Sequence, residues 1–485
     1  MRARTKSFVS IFTVIASLNF TGCTGGGGST TPTSTPSIHN QWTWVGGANV
    51  PDQSSVYGTQ GAAAPGNIPG AREQGVSWTD NSGNFWLFGG WGSAATPSQT
   101  SSNILVLDGY GLLNDLWKYS GGQWTWVGGS ELGDQPGTYG IQGTPSPNNV
   151  PAGRYGATRW VDTSGNLWLF GGASYASTPN SSVLNHLNDL WKYTAGQWTW
   201  VQGSNVGNQS GNYGTQGIST VTNTPGGRFN AMSWTGPTGD FWLFGGDALD
   251  STGTPGYLND LWKYSAGQWT WMQGSNVGLQ SGVYGTQGTA SPTNVPGGRE
   301  QSFTWTDASG NFWLFGGNGY DSQGSRGFLN DLWKYSNGQW TWVSGPNLIN
   351  QPGVYGTLGI ASPGNVPRAR NSGASWVDAS GNLWLFGGGA YNSSGSTDYL
   401  DDVWKFSAGQ WTWVAGSNAA DQQGTYGILG TPAASDIPEA RFHEASWADA
   451  SGKLWLFGGN TPATTAAQQE EGLGYFQNDM WTYQP

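Results

Sequence analysis

An all-β fold, a six-bladed β-propeller with four antiparallel strands in each blade, is predicted by two features of the sequence. The first is a long repeat, because the tetrapeptide Leu-Phe-Gly-Gly occurs six times, at 71 to 82 residue intervals, starting at Leu87, Leu169, Leu243, Leu314, Leu385 and Leu456. The second is the content of each repeat, short aromatic and β-branched runs bounded by Gly, Asn, Asp or Ser. Long repeats made of strands indicate a radial array of sheets rather than a helical solenoid.

The fourth repeat shows how one blade is built. Strand a is predicted over residues 299–306, and the turn Asp-Ala-Ser-Gly-Asn leads to strand b over 312–317. Strand c covers 329–335 and strand d covers 340–343. No part of the chain after the leader shows a helical period, so we expect no helix there.

These repeats resemble the kelch family. The resemblance covers residues 41–485 and depends on the paired glycines after strand b, the aromatic residue of strand c and the tryptophan of strand d. It implies a six-bladed propeller of four-stranded blades.

The two ends of the repeat region complement each other. The first Gln-Trp-Thr-Trp-Val, residues 41–45, has no preceding strands, and the last repeat ends at Pro485 without a strand d. We therefore predict that residues 41–45 complete blade 6 and close the ring. Closure protects sheet edges that would otherwise promote aggregation.

The tryptophans are explained by the architecture. Each blade takes five of the 31 tryptophans once residues 41–45 join blade 6, and only Trp91 is left over. Large buried rings of this kind stabilise a fold by removing apolar surface from water. The tryptophan content therefore does not by itself indicate a carbohydrate site.

The N-terminal segment reads as an export and anchoring signal. Residues 1–23 carry a basic start and a short apolar stretch, as in a secretory signal. Their end at Cys23 resembles the bacterial lipobox, which implies lipidation of that cysteine; a cleaved signal with an incidental thiol is the alternative. Residues 24–40 are a flexible polar tether. We expect an outer-membrane or surface lipoprotein of the bacterial envelope, or otherwise a secreted or periplasmic protein.

Composition excludes several functions. The chain has 18 Lys and Arg against 29 Asp and Glu. After the leader, the sequence shows no cluster of basic residues that could contact the phosphates of a nucleic acid. The single cysteine permits no intramolecular disulfide. We expect no cofactor and no metal, and specifically no copper-oxidase centre, because Cys23 lies in the leader and the three histidines, His39, His186 and His443, are scattered. A monomer that meets the membrane only through its lipid is predicted.

One arginine begins the predicted innermost strand of every blade. We expect the six side chains to surround one mouth of the central channel, where they would bind an anion or carboxylate. Alternatively, each is structural and pairs with the aspartate of the Asn-Asp-Leu-Trp motif or a backbone carbonyl. The arginines are Arg72, Arg154, Arg228, Arg299, Arg370 and Arg441.

The connections from strand d to the next strand a are constant in length. From the second tryptophan of strand d to the arginine is 28 residues in every copy, and a tyrosine always precedes that arginine by 15 residues. Such regularity favours an ordered structural element over a ligand-contacting loop.

The loops between strands b and c differ in length. Those of blades 3, 4 and 5 share a minimum, and those of blades 6, 1 and 2 exceed it by six, eleven and three residues. Because these three blades are adjacent in a closed ring, we hypothesise a partner-binding epitope there, with neutral insertion as the alternative. Its candidate residues are Trp91, Tyr110, His443, Glu444 and, less centrally, Arg159.

The function that these features favour is binding. We expect an exported, lipid-anchored scaffold or binding module that recognises an envelope or extracellular protein or a glycan. The binding surface would be the long-loop face, which is the end of the propeller that carries the b–c loops and the d–a connections. The alternative is a propeller enzyme on a sugar acid or glycan, similar to exported sialic-acid epimerases, with Glu73, Glu300 or Glu444 as the base beside the arginines. No motif marks a catalytic residue.

Overall fold

The protein is built from strands throughout the part that the structure, a computed structural model, describes: residues 40–94, 110–175, 183–392, 396–463 and 475–485. Five of the repeats each form a single sheet built on four antiparallel strands, and the third is divided into a four-stranded and a three-stranded sheet. The sheets are arranged as propeller blades. The predicted all-β propeller class is confirmed. Within these ranges no helix is long and apolar enough to cross a bilayer.

The strands follow the order of the repeats. Blade 1 contains β2 (Arg72–Glu73), β3 (Val76–Thr79), β4 (Phe85–Ser93), β5 (Tyr110–Ser120) and β6 (Gln123–Gly128). Blade 2 contains β7 (Thr158–Val161), β8 (Leu167–Ser174), β9 (Asn185–Thr194) and β10 (Gln197–Gln202). Blade 3 contains β11 (Arg228–Phe229), β12 (Met232–Thr235), β13 (Phe241–Phe244), β14 (Asp247–Leu249), β15 (Pro255–Tyr257), β16 (Leu261–Ser265) and β17 (Gln268–Gln273).

The remaining strands repeat this pattern. Blade 4 contains β18 (Arg299–Glu300), β19 (Phe303–Thr306), β20 (Phe312–Tyr320), β21 (Arg326–Ser336) and β22 (Gln339–Ser344). Blade 5 contains β23 (Ala374–Val377), β24 (Leu383–Tyr391), β25 (Thr397–Ser407) and β26 (Gln410–Ala415). Blade 6 contains β1 (Gln41–Gly46), β27 (Ala445–Ala448), β28 (Leu454–Thr461) and β29 (Tyr475–Gln484).

The innermost strands stand side by side around the axis. Strands β3, β7, β12, β19, β23 and β27 each approach the next, and β27 approaches β3. They surround a channel of about 620 Å³. The core lies between neighbouring blades; for example, Trp234 of blade 3 stacks on Phe312 of blade 4 with ring centroids 5.4 Å apart.

The predicted closure of the ring is confirmed. Strand β1 pairs with β29 in antiparallel register, with Trp42 opposite Tyr483 and Trp44 opposite Trp481. Trp42 is buried and contacts Phe386 of blade 5. The N-terminal strand is thus the outer strand of blade 6.

The predicted strand a of the fourth repeat is interrupted. It divides into β18 and β19 because Gln301 between them adopts a left-handed backbone conformation with φ of 56°. The amide of Gln301 donates to the carbonyl of Asn230 in blade 3 rather than to its own sheet. The interruption therefore reflects a contact between blades, which the pattern of residues within a single repeat does not predict.

The constant d–a connections are ordered straps, as predicted. In blade 1 the amide of Gly61 donates to the carbonyl of Trp126 (2.8 Å), and the side-chain amide of Asn67 donates to the carbonyl of Trp124 (3.2 Å). The strap thereby occupies hydrogen-bonding groups of outer strand β6, which would otherwise be a free sheet edge. Its Tyr57 hydroxyl donates to buried Asp115 (3.0 Å).

Candidate functional site

Each of the six repeat arginines is held in a buried ion pair. In blade 4 the guanidinium of Arg299 donates from Nη1 and Nη2 to the two carboxylate oxygens of Asp331, at 2.7 and 2.8 Å. Its other contacts are the carbonyls of Gly297 (3.1 Å) and Gly316 (2.9 Å). Neither charged side chain is exposed. The fork of the guanidinium is therefore fully used inside the blade.

The same carboxylate collects two further donors. The hydroxyl of Tyr284 and the indole N–H of Trp333 both donate to Asp331 Oδ2 at 2.7 Å. Burial, and then the adjacent carboxylate, raise the pKa of Tyr284 well above its ordinary value. The tyrosine thus stays protonated and donates. One aspartate joins the strap, strand c and the start of strand a.

The arrangement recurs in all six blades. The pairs are Arg72–Asp115, Arg154–Asp189, Arg228–Asp260, Arg299–Asp331, Arg370–Asp402 and Arg441–Asp479. The expectation that these arginines surround the channel mouth is wrong, because their side chains turn into the blades. Their contacts are those of the structural alternative, and a role in ligand binding remains a prediction.

The residue two positions after each arginine lines the end of the channel instead. These residues all have positive φ, between 51° and 63°: Gln74, Gly156, Asn230, Gln301, Ser372 and His443. Each amide donates to the carbonyl of its counterpart in the preceding blade, over 2.7 to 3.4 Å, and Gln74 donates to His443. The bonds form a closed circuit, in which aligned hydrogen bonds strengthen one another.

His443 is the centre of a polar cluster on this circuit. Its Nε2 lies 2.8 Å from the side-chain amide nitrogen of Gln301 and 3.0 Å from the side-chain amide nitrogen of Gln74. Its Nδ1 lies 2.9 Å from Glu73 Oε2. A tautomer that donates from Nδ1 to Glu73 and accepts at Nε2 from the glutamine side chains satisfies this network. The cluster brings together blades 1, 4 and 6, and its side chains at His443 and Glu73 are 13% and 17% exposed.

Glu444 lies beside this cluster and is half-buried, with its carboxyl group turned away from solvent. Both carboxyl oxygens are covered and have no hydrogen-bond partner in the protein. Burial raises the pKa of Glu444 to about 8. The neutral acid is therefore favoured at neutral pH, and the side chain lies along the channel rather than on the long-loop surface.

Half-buried aromatic rings form an arc on the long-loop face. Trp91 lies 6.5 Å from Tyr155, Tyr155 lies 5.6 Å from Phe229, and Phe229 lies 5.0 Å from His186, measured between ring centroids. His186 Nε2 is 3.4 Å from Asp247 Oδ1. The leftover tryptophan therefore belongs to a surface shared by blades 1, 2 and 3.

Tyr110 joins the loops of two blades. Its ring packs edge-on against Phe476 with centroids 5.3 Å apart, so the described ends of the b–c loops of blades 1 and 6 meet. The rest of the predicted epitope, in 95–109, 176–182 and 464–474, lies outside the described residues, as does Cys23.

Four residues of this surface were not singled out from the sequence: Gln74, Gln301, Tyr155 and Phe229. The first two occupy the same repeat position as His443, and the other two directly follow a repeat arginine. Comparing the six copies position by position provides the signal, since both columns vary while the arginine before them is the same in every copy.

No protein-family model matches the chain, and no curated protein matches it. Solved structures that resemble it include YjhT (14% identity, TM-score 0.46, 85% of this chain and 95% of that one). A fungal alcohol oxidase of the AA5 family in complex with copper has 12% identity and a TM-score of 0.41, over 88% and 77%. A protein of unknown function from Dyadobacter fermentans has 8% identity and a TM-score of 0.45, over 93% and 100%.

Fold and site together define a β-propeller protein with an aromatic and polar surface at one end of its channel. Among the described residues, no group of three or more His, Cys, Asp or Glu side chains is arranged to hold a metal ion.

Proposed function

We propose that this protein is an exported propeller of the kelch type that binds a glycan on its long-loop face. The observation that carries the proposal is the arc of Trp91, Tyr155 and Phe229, which lies close to the carboxylates of Glu73 and Asp247. The faces of aromatic rings pack against the C–H groups of sugars, and carboxylates accept hydrogen bonds from sugar hydroxyls.

The charge of this face favours a neutral ligand. The protein carries a net charge of −11, and the acidic side chains that lie at the arc are not matched by the repeat arginines, which are consumed inside the blades. A hydroxyl-rich glycan fits such a surface better than a polyanion. The b–c loops of blades 6, 1 and 2 would extend the contact around it.

We expect Trp91→Ala, Tyr155→Ala and a deletion of residues 94–109 each to weaken glycan binding at least about tenfold, since each removes aromatic or loop contact area. A glycan array with the wild-type domain, residues 40–485, identifies a binding glycan, and calorimetry with that glycan measures each variant.

The matched control is Tyr391→Ala. Tyr391 is an exposed aromatic side chain at the loop end of a b strand in blade 5, away from the arc, where it stacks on Phe328 at 4.3 Å. Its loss should leave the affinity unchanged. An array without binding, or equal losses in Trp91→Ala and Tyr391→Ala, would argue against the glycan proposal; capture of an envelope protein by the same face would replace it.

The second candidate is an enzyme on a sugar acid, and one observation favours it. Glu300 is buried, accepts a hydrogen bond from the Tyr257 hydroxyl (2.8 Å), and has a raised pKa because of burial. Arg326 lies over the Tyr257 ring at 4.4 Å. A buried carboxyl with a raised pKa that is hydrogen-bonded to a tyrosine covered by a guanidinium is a candidate general acid or base. Conversion of any array ligand, followed by NMR and lost in Glu300→Gln, would establish this candidate.

We also propose export and lipid anchoring through Cys23. The basic start, the short apolar stretch and the lipobox-like end of residues 1–23 support it, followed by a tether long enough to separate the propeller from a membrane. The full-length protein should incorporate a labelled fatty acid in a bacterial host and fractionate with membranes. Cys23→Ser should abolish both; labelling that persists in this variant would contradict the assignment.

A further inference from the structure

One position in the innermost strands faces the channel in every blade. Five of the six residues there carry a hydroxyl and the sixth carries a guanidinium: Ser77, Arg159, Ser233, Thr304, Ser375 and Ser446. The hydroxyls bond to neighbouring strands; that of Ser233, for example, donates to the Arg159 carbonyl (3.2 Å). Arg159 is therefore a single departure from an otherwise uniform belt.

Arg159 differs from the six repeat arginines in its surroundings. Its side chain is exposed to the channel, whereas theirs are buried. Its guanidinium contacts the Ser77 hydroxyl, and no carboxylate among the described residues forms an ion pair with it. Enclosure by the blades lowers the pKa of Arg159 to about 10, so the group is still charged at neutral pH.

No other group of the channel lining that the structure describes neutralises this charge. The remaining ionisable side chains of the described lining are His443 and Glu444. His443 is engaged with Glu73 and the two glutamines, and the raised pKa of Glu444 favours its neutral form. The belt thus holds one uncompensated positive charge, which costs stability unless a ligand meets it.

We propose that the channel is a second ligand site, which binds a small carboxylate through Arg159 at the level of the hydroxyl belt. A guanidinium pairs with a carboxylate through two parallel hydrogen bonds. One cation balances one negative charge, which favours a monocarboxylate over a phosphate or sulfate dianion. The channel volume of about 620 Å³ suits a small molecule.

This site is separate from the long-loop face. The closed circuit of backbone bonds and the His443 cluster stand between the two. The lining continues in the other direction to Thr79, Thr235 and Thr306, the last residues of their innermost strands. We expect the ligand to enter from that face, beside the short turns between strands a and b.

Arg159→Ser provides a close test, because serine is the residue found at this position in four other blades. Calorimetry and thermal shift use the domain of residues 40–485 with sodium acetate, benzoate and gluconate, and sodium chloride at equal ionic strength. At least one carboxylate should bind the wild type, and Arg159→Ser should lose at least about tenfold in affinity. Without ligand, Arg159→Ser should melt at a higher temperature.

Two further variants complete the experiment. Arg368→Ser removes an arginine that lies outside the channel lining, where it pairs with Asp398, and should leave carboxylate binding unchanged. Arg159→Lys keeps the charge without the fork and should bind with intermediate affinity. The proposal is overturned if no carboxylate binds the wild type, if Arg159→Ser binds equally well, or if chloride produces the same shift. Since Arg159 lies away from the arc, these outcomes are independent of glycan binding.

Discussion

We expect the removal of residues 41–46 to lower the melting temperature of the propeller by up to roughly 8–9 °C, because β1 closes the ring. Strand β1 carries Trp42, which is buried, and Trp44, which is half-buried. Burial of a tryptophan contributes at most about 4–6 kcal/mol, so the two together, one of them half-buried, contribute at most about 8 kcal/mol. A domain of this length loses about 0.9 kcal/mol of stability per degree near its midpoint.

The measurement compares chains that begin at residue 40 and at residue 47 by calorimetry. Without β1, the hydrogen-bonding edge of β29 is left free, so the shorter chain should also aggregate more readily. Equal melting temperatures of the two chains would show that β1 does not hold the ring closed.

A substitution beside the same strand, β1, is expected to stabilise the protein instead and provides the opposite test. Five straps carry an asparagine whose side-chain amide donates to strand d, as Asn67 does. The strap of blade 6 has Asp436 at this position, and both of its carboxyl oxygens are buried without a hydrogen-bond partner. Burial raises the pKa of Asp436 in the folded state. The carboxylate therefore destabilises the fold above that pKa, and the cost vanishes once pH falls below the ordinary aspartate value.

Asp436→Asn should accordingly raise the melting temperature by about 1–2 °C at neutral pH, by restoring one or two hydrogen bonds. The gain should shrink in acid, where the aspartate is protonated in both states and the burial of a charge no longer contributes. A gain that is independent of pH would rule out the ionised carboxyl as its cause.

Arg299→Ala should destabilise the protein by about 3–5 kcal/mol, because it leaves the carboxylate of Asp331 buried without its counter-charge. The guanidinium also holds two backbone carbonyls, at Gly297 and Gly316, which would lose their donors. The free energy of unfolding from denaturant titration measures the loss. The effect should be of similar size in any blade, because the arrangement recurs in all six.

The matched control is the partly exposed pair Lys263–Asp240, with side chains 30% and 14% exposed. Lys263→Ala should cost no more than about 1 kcal/mol, since solvent screens such a pair. The double variant Arg299→Met with Asp331→Leu should regain only part of the loss, because Tyr284 and Trp333 then lack their acceptor. Normal stability with lost ligand binding in Arg299→Ala would instead support a functional arginine.

The propeller class and its closure could be predicted from the sequence because both depend on patterns of residues that are close together along the chain. Strand periodicity, turn residues and the missing strand d of the last repeat each depend on neighbours along the chain. The same holds for the fixed straps, whose constant length requires an ordered path. These features recur, and recurrence separates them from chance.

The chemistry of the site depended on contacts between blades. His443 meets Gln74 and Gln301, which lie 369 and 142 residues away along the chain. The six arginines were expected at the channel mouth, yet the left-handed turn after each one directs its side chain into the blade and leaves the residue two positions later at the axis.

Local patterns along the chain were therefore enough to predict the architecture: six aromatic repeats whose two ends meet through the first strand. Which side chains hold the blades together and which remain free could be read only from the folded protein, because that depends on the carboxylate that each guanidinium reaches across the fold. The repeat arginines each reach one and are neutralised, whereas Arg159 reaches only a hydroxyl and keeps its charge for the channel.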